Sequence, residues 1–223
     1  MRYHFNFGDV LAYYPWLIKG TLLTLELIAV GGVLGIALGI FGAWARTSGP
    51  RALRAVFGAY VELIRNTPFL IQLFFIFFGL PSIGIQMTEL EAASLAMVIN
   101  LGAYSTEIIR AGVEAIPRGQ IEAGQCLAMT RLQIFRHIIL RPALQKIWPA
   151  LSSQVVIVML GSAACSQIAV EDLSFAANFI QSRNFRAFES YFIATGIYLV
   201  LAILLRQVMR GIGLMLFPAK VPR

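Results

Sequence analysis

The chain has 223 residues, 58% hydrophobic and 13% charged, with a mean hydropathy of +0.76. A soluble domain carries about twice that charged fraction, so a free-standing soluble fold is excluded and an integral membrane protein is implied. The net charge of +7 does not mark a nucleic-acid surface: the basic residues fall in short blocks between apolar runs, where membrane topology accounts for them.

Residues 1–16 are rich in Tyr, Phe and Trp, the composition of an interfacial anchor. They lack the charged start and apolar run of a cleavable signal. A membrane-crossing helix needs about 20 mostly apolar residues. Five stretches qualify in order: 17–45, 52–80, 89–109, 147–170 and 191–215. In the first, Gly31, Gly35 and Gly39 repeat every four residues. Such a small-residue stripe lets another helix approach closely, within the chain or from a second subunit. In the second, Pro68 predicts a kinked helix or a short helix running into the span proper. Glu62 and Arg65, three apart, are spaced to pair. Asn66-Thr67-Pro68 is expected near the cytoplasmic surface, positioning the span, with a binding role as the alternative.

The third stretch carries Asn100, Tyr104 and Glu107 at steps of four and three, one stripe of a helix. Polar and ionisable groups at membrane depth face a cavity or a partner. Two readings stand. The stripe lines a route for a zwitterionic solute, with Glu107 meeting an ammonium or guanidinium group; or Glu107 pairs with Arg110 and is structural. The fourth stretch adds Gln154 and, seven residues on, Gly161 with Ser162 beside it, leaving room for a solute or a second subunit. Glu171-Asp172 beyond it reads as a solvated acidic loop or a contact for an external protein. Cys126 lies in a basic segment and Cys165 in an apolar run, so no disulfide is expected.

Lys and Arg placement sets the orientation. Arg46, Arg51 and Arg54 follow the first stretch; residues 81–90 hold none; Arg110, Arg118, Arg131, Arg136, Arg141 and Lys146 surround the third link. Arg183 and Arg186 in the fourth link are offset by Glu171, Asp172 and Glu189, and the tail carries Arg206, Arg210, Lys220 and Arg223. The alternation puts the first link, the third link and the C-terminus in the cytoplasm, and the N-terminus outside. The expected fold is an all-α membrane protein of about five transmembrane helices, one domain over residues 1–223.

Residues 116–142 are too polar to cross. Pro117 and Gly119 open the segment and Pro142 ends it, while Ile121, Leu127, Leu132, Phe135 and Ile139 recur at helix-like spacings. This predicts an amphipathic helix outside the membrane with a face for a partner. Glu122-Ala123-Gly124, Ala128, Ile138 and Leu140 resemble the EAA loop of inner-membrane subunits of ABC importers. That pattern reads Glu-Ala-Ala, three residues, Gly, nine residues, Ile-x-Leu-Pro; here Gly124, Ala128 and Arg141 depart from it. The stretches TLLTLELIAVGGVLGIALGIFGAWAR (21–46), YVELIRNTPFLIQLFFIFFGLP (60–81) and LGAYSTEIIRAGVEAIPRGQ (101–120) are similar to the polar amino-acid branch of that family, the histidine/arginine/glutamine permease type. The resemblance covers nearly the whole chain.

The resemblance implies a permease subunit of an ATP-driven importer of polar amino acids, with Glu107 leaning toward basic ones. Arg118, Gly119, Glu122, Ala123, Gly124, Leu127, Ala128 and Arg131 would meet a separate ATPase subunit, one of a pair that binds ATP and Mg. Asn100, Tyr104, Glu107, Gln154 and Ser162 would line the solute route. Implied partners are a second permease, a periplasmic amino-acid-binding protein and membrane lipid, in the bacterial inner membrane. Many relatives read Lys-Asp-Thr-Ser-Leu where this chain has residues 160–164, a departure that favours a paralogous second permease. The chain has no phosphate loop, no Gly-x-Ser-x-Gly and no Cys-x-x-Cys; His4 and His137 stand alone, so neither catalysis nor a metal is expected. The alternative, a stand-alone secondary transporter, calls for more spans and an internal repeat, and none is visible.

Overall fold

The computed structural model describes residues 4–217, and these contain helices and no strand. Met1, Arg2 and Tyr3 of the expected anchor, and Lys220 and Arg223 of the basic tail, lie outside the described residues. Four helices among the described residues are long and apolar enough to cross a membrane: Tyr14–Ser48 (α2), Glu89–Glu114 (α6), the nearly continuous Arg131–Ile168, and Ala187–Leu216 (α11). A bent pair, Arg51–Arg65 (α3) with Phe69–Ser82, is apolar and long enough only when taken together, as a broken span or a re-entrant loop. A short helix, Gly8–Leu11 (α1), precedes α2.

The pair α2 and α6 forms the keel. Gly31, Gly35, Gly39 and Gly42 face Met97, Leu101, Ser105 and Thr106 with no side chain between. A Cβ on Gly35 would sit 2.9 Å from Leu101 Cβ, and one on Gly39 would overlap Ser105 Cβ and press on the Thr106 backbone nitrogen at 3.1 Å. The glycine stripe therefore serves a contact within the chain. Helix α6 begins at a capping box: Thr88 Oγ1 accepts from Glu91 N at 3.3 Å, and Glu91 Oε2 accepts from Thr88 N at 2.8 Å.

The predicted span 52–80 is not one straight helix. Pro68 has no N–H and disfavours helical backbone before it, so α3 ends at Arg65 and the chain turns by 113° into Phe69–Phe74 (α4). A π-helical turn, Phe75–Gly79, and Leu80–Ser82 (α5) complete the arm. The bend lies beside Asn100, near the middle of α6. Glu62 does not pair with Arg65; its carboxylate accepts from Asn66 Nδ2 at 3.2 Å, while Arg65 lies over the Tyr104 ring.

The amphipathic segment is also divided. Helix α7 spans only Arg118–Cys126. Ala128 then adopts φ 53°, and Thr130 caps a new helix through a capping box with Gln133. From Arg131–Gln133 (α8) through a π turn, Ile134–Leu140, the chain runs on into Arg141–Gly161 (α9) and a 3₁₀ turn, Ser162–Ile168. The expected stripe thus splits: Phe135 and Ile139 are buried with Ile121 packed beside them, whereas Leu127 and Leu132 are exposed. Trp148 Nε1 donates to Met209 O at 2.7 Å, tying α9 to α11.

Leu173–Asn184 (α10) is capped by Asp172, whose Oδ1 accepts from Phe175 N at 2.9 Å. Thr24 Oγ1 accepts from Leu173 N at 3.2 Å, which holds α10 to α2. The N-terminal segment docks on the start of α11: Asn6 N donates to Glu189 Oε1 at 3.0 Å, and Arg186 pairs with Asp9. Phe5 and Phe7 pack on Phe188 and Phe192, an exposed aromatic cluster of the kind found at membrane interfaces.

Candidate functional site

A cavity of about 390 Å³ opens where the α3–α4 bend, α6 and α9 meet. It is lined by Thr67, Pro68 and Phe69 from the bend, Asn100 and Tyr104 from α6, and Gln154, Ile157, Val158 and Gly161 from α9. Irregular backbone at membrane depth is tolerated where it lines a cavity, provided its freed polar groups find partners. Gln72, one turn past Pro68, supplies them: its Nε2 donates to Ile64 O at 2.7 Å, Thr67 O at 2.9 Å and Thr67 Oγ1 at 2.9 Å. Its Oε1 accepts from Asn100 Nδ2 at 3.0 Å.

Asn100, Tyr104 and Gln154, expected from spacing in two separate stretches, come together here. Two other expected lining residues do not. Glu107 lies one turn beyond Tyr104, outside the cavity, with Arg46 Nη1 at 2.6 Å and Arg110 Nη2 at 2.5 Å from its two oxygens. Of its two readings, the pairing with Arg110 is present, strengthened by Arg46. Ser162 is fully buried in the 3₁₀ turn, where its hydroxyl donates to Met159 O at 2.6 Å. Gln72 escaped the sequence reading, whereas Thr67 was expected to position the span. The available signal was an amide four residues after a helix-breaking proline in an apolar run.

The cavity-lining side chains carry no formal charge, but Arg65 is close: its guanidinium carbon lies 5.5 Å from the Tyr104 ring centroid. Among the described residues no cluster of His, Cys, Asp or Glu is fit to hold a metal ion.

At the basic end, α7 presents Arg118, Gly119, Glu122 and Ala123 to the outside, continued by Leu127, Ala128 and Arg131. Gly124 alone of the expected coupling set is buried. A Cβ there would press on Ile138 Cδ1 at 2.5 Å and Ile134 Cγ1 at 3.2 Å, so a glycine lets α7 seat on the following helix.

The sequence pattern of the binding-protein-dependent transport system inner membrane component family matches residues 35–212. The chain is 32% identical over 208 residues to the glutamine transport system permease protein GlnP of Escherichia coli, covering 92% of this chain and 95% of that one. It is 35% identical over 198 residues to the L-cystine transport system permease protein TcyB of Bacillus subtilis, covering 88% and 85%. The fold superposes on the crystal structure of an amino acid ABC transporter with histidines at a TM-score of 0.84, with 34% identity, covering 95% of this chain and 99% of that one. The MetNI methionine ABC transporter shares the fold at a TM-score of 0.73 and 20% identity, covering 90% and 95%. The chain belongs to the binding-protein-dependent transport system inner membrane components, as a multi-pass permease subunit of the inner membrane.

Proposed function

We propose that this chain is the permease subunit of an ATP-driven importer of polar amino acids, and that solute crosses by way of the Asn100–Tyr104–Gln154 cavity. The observation that carries this reading is the convergence of three uncharged hydrogen-bonding side chains from two crossings beside a helix break. The ion pairs of Glu107 with Arg46 and Arg110 speak against it as the counter-charge that, with the family resemblance, leaned the expectation toward basic solutes. Permeases of a glutamine and an L-cystine transport system are among the proteins similar to this chain, which supports a neutral polar solute.

In this reading a periplasmic binding protein delivers the solute, and a second permease, a paralogue of this chain, completes the pathway. A pair of ATPase subunits binds ATP and Mg and grips Arg118, Gly119, Glu122, Ala123, Leu127, Ala128 and Arg131. Gly124 keeps α7 seated, so a push from the ATPase reaches α9 and turns the cavity from one side of the membrane to the other.

Proteoliposomes holding this chain with its ATPase, second permease and binding protein test the reading. Gln154→Leu is expected to cut uptake at least tenfold while the complex stays assembled. Unchanged uptake removes the cavity from the route, and ATP-independent uptake by the chain alone would favour the secondary-transporter alternative.

A further inference from the structure

We infer that Gln72 sets the polarity of this cavity by turning Asn100 so that it offers the solute an acceptor, and that the group received there is the solute's ammonium. The inference rests on the cavity being the solute's route.

The orientation follows from what each atom is able to do. Ile64 O and Thr67 O are backbone carbonyls and only accept, so the end of the Gln72 amide facing them is the nitrogen. Its oxygen then faces Asn100 and draws the Asn100 nitrogen toward itself at 3.0 Å. Gln72 does not line the cavity and Asn100 does. The Asn100 donor is therefore spent on Gln72, and Oδ1, which has no partner among the described residues, is left for the cavity. One turn along α6, Tyr104 lies under the Arg65 guanidinium.

The cavity thus has an acceptor at Asn100 and a cation near Tyr104. A zwitterion matches that order, with ammonium at Asn100 Oδ1 and carboxylate toward the Tyr104 hydroxyl and Arg65. A site built to hydrogen-bond a polar group rejects the analogue that lacks it, because its own buried group is left unpaired. The chemical class selected is the α-amino acid over its des-amino counterpart. Gln72 is a positioning residue: it touches Asn100, not the solute.

The test is calorimetry on the purified permease–ATPase complex without binding protein, comparing L-glutamine with glutaramic acid, then each standard amino acid with its des-amino analogue. The wild type is expected to prefer the amine-bearing member by about tenfold or more, the cost of one hydrogen bond to a charged group. Gln72→Met fills similar space but leaves the Asn100 amide free to turn, and its preference is expected to fall to about twofold or less. Asn100→Leu removes the acceptor without adding a charge and is expected to lose the preference. That variant decides the matter if Gln72→Met does not fold. Equal wild-type affinity for both members of each pair overturns the inference, as does full preference in a folded Gln72→Met or in Asn100→Leu. Failure of every amino acid to bind overturns the route reading itself, and this inference with it.

Discussion

Arg46 Nη1, at the end of α2, lies 2.6 Å from Glu107 Oε2 on α6. Arg110 holds the same carboxylate through Nη2 at 2.5 Å and Nε at 3.0 Å, and itself reaches Glu114. The side chains of Arg46, Glu107 and Arg110 are about a fifth to a quarter exposed. The acid that spacing places on the cavity stripe is therefore a clasp between the two keel helices. Glu107→Gln is expected to lower stability by about 1–2 kcal/mol, the worth of a partly screened multidentate pair. It is also expected to leave the ratio of arginine to glutamine uptake within about twofold of the wild type. Selective loss of arginine uptake at unchanged melting temperature would place Glu107 on the route instead.

The keel makes a contrast between two neighbouring kinds of glycine. At Gly39 a methyl group meets the Ser105 side chain and the Thr106 backbone; overpacking of this kind costs about 1–3 kcal/mol. At Gly32 nothing lies within 4 Å, and alanine is favoured in a helix interior by up to about 1 kcal/mol. Thermal unfolding in detergent is expected to show Gly39→Ala melting lower than the wild type and Gly32→Ala the same or higher. Equal behaviour of the two would mean that α2 and α6 do not touch along this stripe.

The turn after α7 holds Ala128 at φ 53°. Left-handed backbone disfavours an L-residue by about 1–2 kcal/mol and leaves glycine untroubled. Ala128→Gly is expected to slow amide exchange across residues 118–133, and Ala128→Val to speed it. Faster exchange in the glycine variant would contradict a left-handed turn.

Asp172 sits between the fourth crossing and α10, fully buried, with the Tyr198 hydroxyl donating to Oδ2 at 3.3 Å. Burial pushes its carboxyl up to about 7. In the unfolded chain the group loses its proton near pH 4. Between about pH 4 and pH 7 the native state keeps a proton that the unfolded state has released. Its contribution to stability is thus fully present below about pH 4, declines as pH rises to about 7, and is flat above that. Asp172→Asn is expected to remove this slope from the melting temperature. Parallel curves for the two proteins across that window would refute the assignment.

Most of the long apolar helices were legible because apolar length is a local property of the chain. Asn100, Tyr104 and Gln154 were legible for a related reason: helical period places side chains on faces, and polar side chains in apolar helices have few other uses. The missed features depend on distant partners or on residues that carry no signal. Arg46 claims Glu107 from 61 positions away. Ala128 breaks the amphipathic helix although alanine is the best helix former, so the period ran through it unmarked. Pro68 announced a break, but its place beside the middle of α6 became clear only from Gln72 and Asn100, whose hydrogen bond spans 28 positions.

With glycine set directly against its partner along α2 and α6, those two helices form one stiff member with no side-chain cushion to deform. Compliance is left to the interruptions: the Pro68 joint, the π turns Phe75–Gly79 and Ile134–Leu140, and the 3₁₀ turn Ser162–Ile168. Each lies in the bent arm or in the run from α8 to the 3₁₀ turn, the two elements that face Asn100 and Tyr104 across the cavity. The vessel therefore has a rigid back and jointed sides.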